Sequence, residues 1–272
     1  VMGDIIDTCH IPEPDEVKKP FHIGLDAAWL AGLYLAEGSK AGDTIQIAGH
    51  SKEEARWLRL YNIAKSYGGY ATKTIAGNTM DIRLYGKVLN SLINELVSGH
   101  TAKDKCFASV VWRYGNAFIM EMVQGYLDGD GFWDESNKRW RLGFTRNYNL
   151  ERDLRTACAR LGYRLTLNLS RSGCNGKSFP SFRGELRTSR SGHFNEKSLG
   201  EIVKIRKSRC REVYDIGVED EPHTFCLASG VLTHNSKLNP MPESVTDRPT
   251  ESHEYILMLT KSAKYYYDQE AI

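Results

Sequence analysis

The chain has 272 residues, 41% of them hydrophobic, and carries 36 Lys and Arg against 34 Asp and Glu for a net charge of +2. That composition is typical of a soluble globular protein with one or two cores and excludes a disordered or fibrous chain. There is no signal peptide and no apolar run long enough to cross a bilayer, and six cysteines stand apart without metal spacing, so a cytoplasmic protein with reduced thiols and no zinc site is expected.

In chain order, residues 1–24 are acidic and proline-bearing and read as a linker. Asp26 can cap a helix that carries LAGLYLAEG from Leu30 to Gly38. Gly32 and Ala36 lie four apart and share one helical face, where a second backbone can approach closely. Glu37 comes last, where the partial negative charge of a helix end disfavours an anion, so a positive group is expected beside it. Gly38 stands where helices commonly stop in a left-handed residue. Ile45–Ala48 alternates as a strand does. Ser51 with Glu54 gives a capping-box pattern for the next helix, and Gly68-Gly69 ends it. Strands Tyr70–Ile75 and Thr79–Leu84 join at Gly77-Asn78, before a helix near Lys87–Val97.

A second copy of the device follows as VQGYLDGDG, Val123–Gly131, with Gly125 and Gly129 four apart and Asp130 in the place of Glu37. After it come a strand pair around Phe132-Trp133 and Trp140–Phe144, a helix from Asn149 to Leu161 stopped by Gly162, and a strand Tyr163–Leu169. Segments beyond Ser170 are harder to assign. If the two small-residue faces pack together, Glu37 and Asp130 converge into a carboxylate pair suited to hard cations such as Mg²⁺, and metal ions there can cleave phosphodiesters. For one copy alone, an amphipathic helix with a glycine cap is an equal reading; the repetition favours the functional one.

The two stretches resemble the motif helices of the LAGLIDADG homing endonucleases, over roughly Leu25 to Lys207. The resemblance implies an α+β fold of two pseudo-twofold αββαββα-type subdomains, here 25–112 and 113–207, in a monomer that is an internal pseudo-dimer. It implies that Glu37 and Asp130 bind Mg²⁺ (or Mn²⁺) as catalytic ligands over double-stranded DNA, with Gly32, Ala36, Gly125 and Gly129 as the helix interface. Lys105-Cys106-Phe107-Ala108 fits the family's Lys-x-apolar-Pro segment except at the proline. By that match Lys105 is an active-site cation that polarises the phosphate or the attacking water; as plain sequence it is equally a solvated loop lysine. The second half needs its own cation, for which Lys177 and Lys204 are candidates. Ser39–Asp43 is too short for the family's full first strand and turn, so fewer DNA contacts are expected there.

Charge is unevenly spread: from Phe132 to Arg211 there are 19 Lys and Arg against 7 Asp and Glu, a phosphate-binding balance. Arg139, Arg141 and Arg146 fall on or beside the strand pair, and Arg164, Arg171, Arg183, Arg187 and Arg190 on later segments. Strands can enter the major groove, where arginine reads guanine edges, although sequence does not separate base contacts from phosphate contacts. The competing reading is a basic surface with no groove fit.

From Glu212 to Ser236 the sequence EVYDIGVEDEPHTFCLASGVLTHNS resembles the C-terminal splicing blocks of inteins, an all-β (Hint) segment placed here at 208–235. The resemblance implies that Asn235 cyclises onto its own carbonyl, His234 acts as the acid, and Ser236 is the first extein residue and accepts the upstream chain. Asp215 and His223 match the upstream polar pair: Asp215 tunes the earlier steps and His223 assists the asparagine. Cys226 lies off the nucleophile positions and reads as a small buried side chain. Residues 236–272 resemble the interior of amino-methylating DNA methyltransferases but lack the Asp-Pro-Pro-Tyr type motif, so they would be a piece of an extein. Val1 is not an intein nucleophile and no Thr-x-x-His block precedes the first motif; a fragment that lacks its N-terminal intein half is expected. The expected activity is therefore metal-dependent, site-specific cleavage of double-stranded DNA near the insertion site. The alternatives are a catalytically degenerate DNA-binding module and a splicing-only element.

Overall fold

The computed structural model describes residues 5–6, 23–174, 176–188, 200–201, 216–218, 224–227 and 232–234. The chain divides into two compact units, His10–His193 and a second made of Val1–Cys9 with Phe194–Ile272. The first element, β1 (Ile5–Ile6), belongs to the second unit.

The larger unit begins with α1 (Leu25–Glu37), which runs without a break into β2 (Gly38–Ala41) and, after a turn at Gly42, β3 (Thr44–His50). Then come α2 (Glu54–Ser66), the hairpin β4 (Tyr70–Ala76) and β5 (Thr79–Tyr85), and α3 (Lys87–Leu96). A small antiparallel pair, β6 (Val97–Ser98) with β7 (Cys106–Phe107), and a 3₁₀ turn at Ser109–Arg113 connect the halves. The second half repeats the plan: α4 (Asn116–Asp130), β8 (Gly131–Asp134), β9 (Arg139–Thr145), α5 (Tyr148–Leu161), β10 (Arg164–Cys174) and β11 (Lys177–Arg187). Both sheets are antiparallel and four-stranded, and their orders, β2-β3-β5-β4 and β8-β9-β11-β10, are the same permutation. The duplicated α+β arrangement read from the sequence is thus present. The strand read over Tyr163–Leu169 is the first part of β10; its continuation past Ser170 and β11, both unassigned in the sequence, complete the longest strand pair among the described residues.

Period-two burial explains the sheets: Ile45 and Ile47 on β3 and Met80, Ile82 and Leu84 on β5 face the core, while their neighbours face outward. The core is built around α1 and α4, whose packing is the most extensive between any two helices. At two points the contact is main chain against main chain. A Cβ on Gly32 would stand 1.9 Å from the Met122 carbonyl oxygen, and one on Gly125 would stand 2.0 Å from that of Trp29. Gly129 leaves room for the Ala36 methyl, which a Cβ there would approach to 2.5 Å. The four small residues are therefore the helix interface.

Several local expectations are corrected. Gly38 and Gly131 are extended, with φ −85° and −89°, because each helix passes directly into a strand. Their lack of a side chain is steric: a Cβ would meet the Tyr34 ring or the Leu127 carbonyl. Asp26 is in the first turn of α1, not its cap, and pairs with Arg59. Ser51 does not cap α2; instead Glu53 accepts the His50 amide at 2.7 Å. By contrast, Gly162 does stop α5 in a left-handed conformation, and the Asn147 side chain caps that helix's start.

In the smaller unit, β1 pairs antiparallel with β12 (Gly200–Glu201), and β13 (Thr224–Cys226) with β14 (Leu232–His234). No helix among the described residues is long and apolar enough to cross a membrane.

Candidate active site and nucleic-acid interface

Because α1 and α4 touch backbone to backbone, their C-terminal acids come together. The site Gly129 leaves open is 3.2 Å from Glu37 Cγ, and Glu37 and Asp130 repel each other. Both carboxyls are held above the ordinary carboxylate range, chiefly by burial, with the Asp130 charge adding to the rise at Glu37. The Tyr126 hydroxyl is fully buried and has no partner of full hydrogen-bond geometry, yet it lies near enough to Asp130 to favour its anion.

Lys105 is the positive group expected at the end of α1. It is 3% exposed, and its ammonium donates to the carbonyls of Tyr34 and Gly38, both at 2.8 Å. One is in the last turn of α1, where it also accepts the Gly38 amide, and the other opens β2, so the ammonium sits where the helix dipole ends. Burial pulls its pKa down to about 8, against the upward pull of Asp130 and Glu37. The solvated-loop reading of Lys105 is overturned by this burial. Its loop is fixed by Asn147, whose amide donates to the Lys105 carbonyl at 2.7 Å.

Arg56 was not singled out in the sequence, where it looks like any helix-surface arginine. From α2 it donates to the Asp128 carbonyl in the last turn of α4, pairs with Glu53 at 2.8 Å, and lowers the pKa of Glu37. Each motif helix thus ends against a cation, a lysine for α1 and an arginine for α4. Of the earlier candidates for the second cation, Lys204 lies outside the described residues, as does the side chain of Lys177.

Two converging carboxylates suit an oxygen-seeking divalent ion such as Mg²⁺ or Mn²⁺. Among the described residues no cluster of three or more His, Cys, Asp or Glu forms, so further ligands would be water, main-chain carbonyls or phosphate.

Asp130 opens into a groove of about 1020 Å³ floored by the second sheet. Strand alternation puts Arg139, Arg141, Arg164, Arg183 and Arg187 on this floor, with Thr166, Asn168 and Ser170. Arg171 has the parity of Leu167 and belongs to the opposite face, and Arg146 lies just past β9. Arg139 bonds Asp134 and Glu185, Arg141 pairs with Asp134 at 3.1 Å, and Arg187 with Glu185 at 3.6 Å. The first sheet's outward face offers one arginine, Arg83, paired with Asp81 at 2.9 Å. Arg190, Asp215, His223, Asn235 and Ser236 lie outside the described residues; of the splicing residues only His234 is described, as the last residue of β14, opposite Thr224.

No protein-family model matches the chain. It is 70% identical over 37 residues to the type II methyltransferase M.Cfr9I of Citrobacter freundii, covering 14% of this chain and 12% of that protein. It is 26% identical over 120 residues to the DNA-directed RNA polymerase subunit Rpo1C of Methanocaldococcus jannaschii, covering 43% and 13%. With an iron-sulfur cluster assembly SufBD family protein of Mycobacterium tuberculosis it shares 25% identity over 245 residues, covering 82% and 29%. Among solved structures, the chain is similar to the homing endonuclease I-DmoI in complex with DNA and Mn, at 14% identity and a TM-score of 0.42, covering 61% of this chain and 90% of that one. The chain therefore spans between about an eighth and a third of the length of these curated relatives.

Proposed function

We propose that the larger unit is a LAGLIDADG-type homing endonuclease that cuts both strands of a DNA target, carried within an intein. The observation that carries this reading is the convergence of Glu37 and Asp130 at the ends of two backbone-packed helices, open to an arginine-bearing groove. When bound, a divalent ion supplies Lewis acidity and a water of lowered pKa for attack on phosphorus. Glu37 and Asp130 would hold it, and their mutual repulsion favours a cation between them. Lys105 and Arg56 fix the helix ends that carry the acids, and Lys105 adds positive charge where the phosphate approaches. The floor arginines neutralise and position the DNA backbone.

The intein half of the proposal draws on the relatives. One chain aligns with parts of proteins named for methylation, transcription and iron-sulfur assembly, as expected of a segment inserted into unrelated hosts. The 37 residues shared with the methyltransferase equal in number those after Asn235. In this reading the Asn235 side-chain nitrogen attacks the Asn235 carbonyl carbon, the bond to the Ser236 nitrogen breaks, and a succinimide and a free Ser236 amine result. His234 protonates that amine, while His223 and Asp215 assist. The cell compartment proposed is the cytoplasm.

The test is cleavage of a plasmid bearing the uninterrupted methyltransferase gene, with and without Mg²⁺ or Mn²⁺, by this chain and by Glu37→Gln and Asp130→Asn. A metal-dependent double-strand cut near the Ser236 codon, reduced by about a thousandfold or more in both variants, supports the proposal. Metal-independent binding without a cut leaves the degenerate binder; absence of binding leaves the splicing-only element.

A further inference from the structure

Resting on that reading, a sharper assignment comes from comparing the two sheets position by position. The register can be counted from the same landmark in each half. Gly38 pairs with Ile47 and Ile47 with Ile82; Gly131 pairs with Leu142 and Leu142 with Gly184. Ile82 and Gly184 are therefore equivalent, and the residues before them are Asp81 and Arg183. Two positions further on, Arg83 corresponds to Glu185. The charges are swapped between halves.

The surroundings differ as well. In the first sheet Arg83 and Asp81 neutralise each other. In the second, Glu185 is taken by Arg139 and Arg187, so Arg183 contacts no carboxylate among the described residues. Arg183 sits on the inner strand β11 between Gly143 and Asn168. Gly143 leaves room beside the stem of this side chain: a Cβ there would come within 3.3 Å of Arg183 Cγ. Its Nε donates to Ser172 Oγ at 3.1 Å, and Ser172 is itself joined to Ser181 at 2.6 Å. The guanidinium is anchored at one nitrogen, exposed, and free to present its two terminal amines as a fork. A planar fork of this kind matches O6 and N7 of guanine in the major groove.

We propose that Arg183 is the guanine-reading residue of this chain, and that the DNA half-site under the second sheet contains one strongly required G·C pair with no counterpart under the first. Asp81 at the equivalent position cannot donate to guanine, and Arg83 holds that carboxylate on its Nε, so the first sheet's outward face presents no arginine without a carboxylate partner. Arg139, Arg141 and Arg187 act through their carboxylate partners as a braced basic rim rather than as readers.

The experiment is selection of bound duplexes from a randomised library by the full chain, repeated with Arg183→Ala, Arg183→Lys and, as a control, Arg141→Ala. The expected result is one dominant G in one half-site, lost in both Arg183 variants and kept in Arg141→Ala. Affinity of Arg183→Ala for the preferred duplex should fall about 5- to 150-fold, the range for one bidentate arginine–guanine contact. Arg183→Lys should keep the salt dependence while losing the base preference. A uniform loss across all sequences with a salt slope smaller by about one would make Arg183 a phosphate contact and overturn the assignment. Retention of the G in Arg183→Ala would overturn it too. If the unmodified chain selects no sequence at all, the endonuclease reading falls with it, and binding with no guanine requirement removes this assignment alone.

Discussion

The two halves of the larger unit share one topology and one helix interface, yet they are stiffened and charged differently. Both sheets have a four-residue edge strand, but the first has a hairpin of seven-residue strands and a self-neutralised outward face, while the second has one of eleven-residue strands and five arginines. At the helix tips, α1 ends on a buried lysine and α4 on an arginine that is partly open to solvent. The difference teaches that the shared part is set by backbone packing, where any side chain would intrude, while the parts facing a ligand are free to diverge.

The strongest way to break the comparison is to put a side chain between the halves. Gly32→Ala or Gly125→Ala drives a methyl into a main-chain carbonyl that cannot yield, and a loss of more than about 3 kcal/mol is expected, read as loss of cooperative unfolding by circular dichroism. Next come the tip cations. Lys105→Met leaves the Tyr34 and Gly38 carbonyls without this donor and should cost about 2–4 kcal/mol in urea unfolding, whereas Arg56→Met, less buried, should cost about 1. Equal costs would mean that the two tips are equivalent after all. The helix starts separate the halves again: Asn147→Ala removes both a cap and the brace on the Lys105 loop, for about 1–2 kcal/mol, while Ser51→Ala should change stability by less than about 0.5.

The smallest effect is a gain, and it depends on pH. Glu37 has its folded pKa raised, so its proton is bound more tightly in the folded state. Its ionisation therefore costs no stability below the unfolded carboxylate value and costs most above the folded one. Glu37→Gln should accordingly raise the melting temperature at neutral pH, with the advantage shrinking as pH falls through the carboxylate range. Lys105 has the opposite pattern of dependence: its pKa of about 8 lies below the unfolded value of 10.5, so the penalty for its buried charge is present below pH 8 and is relieved between about 8 and 10.5. A melting temperature that does not respond to Glu37→Gln across this pH series would mean the acids are not buried as a pair.

Much of this was legible in the sequence because it depends on periodicity. The small residues spaced four apart fixed which helix faces meet, and alternation fixed β3, β4, β5 and β9. What could not be read were consequences of contact. Gly38 and Gly131 look like left-handed stops, but no residue-level signal says that a helix will run straight into a strand. Ser51 and Glu54 form a capping box on paper, but the Ser51 amide donates to the Asn78 carbonyl at 2.9 Å and the helix starts later, with Glu53 at its cap position. The first part of β10 was legible, but between Arg171 and Gly184 the polar residues and glycines leave little apolar alternation, so the rest of the hairpin shows only in its pairing. Arg56 carries no pattern at all; its role comes from where α2 lies against α4.

The glycine contact between α1 and α4 also bears on how such a molecule can change over generations. With main chain against main chain, the distance between the two acids is set by atoms that every sequence shares, and substitution on the sheets does not transmit to it. Residues on the floor such as Arg183, Asn168 and Thr166 can therefore drift to a new target one at a time while the chemistry stays in register. A heavier, side-chain-filled interface would tie each such step to a compensating one.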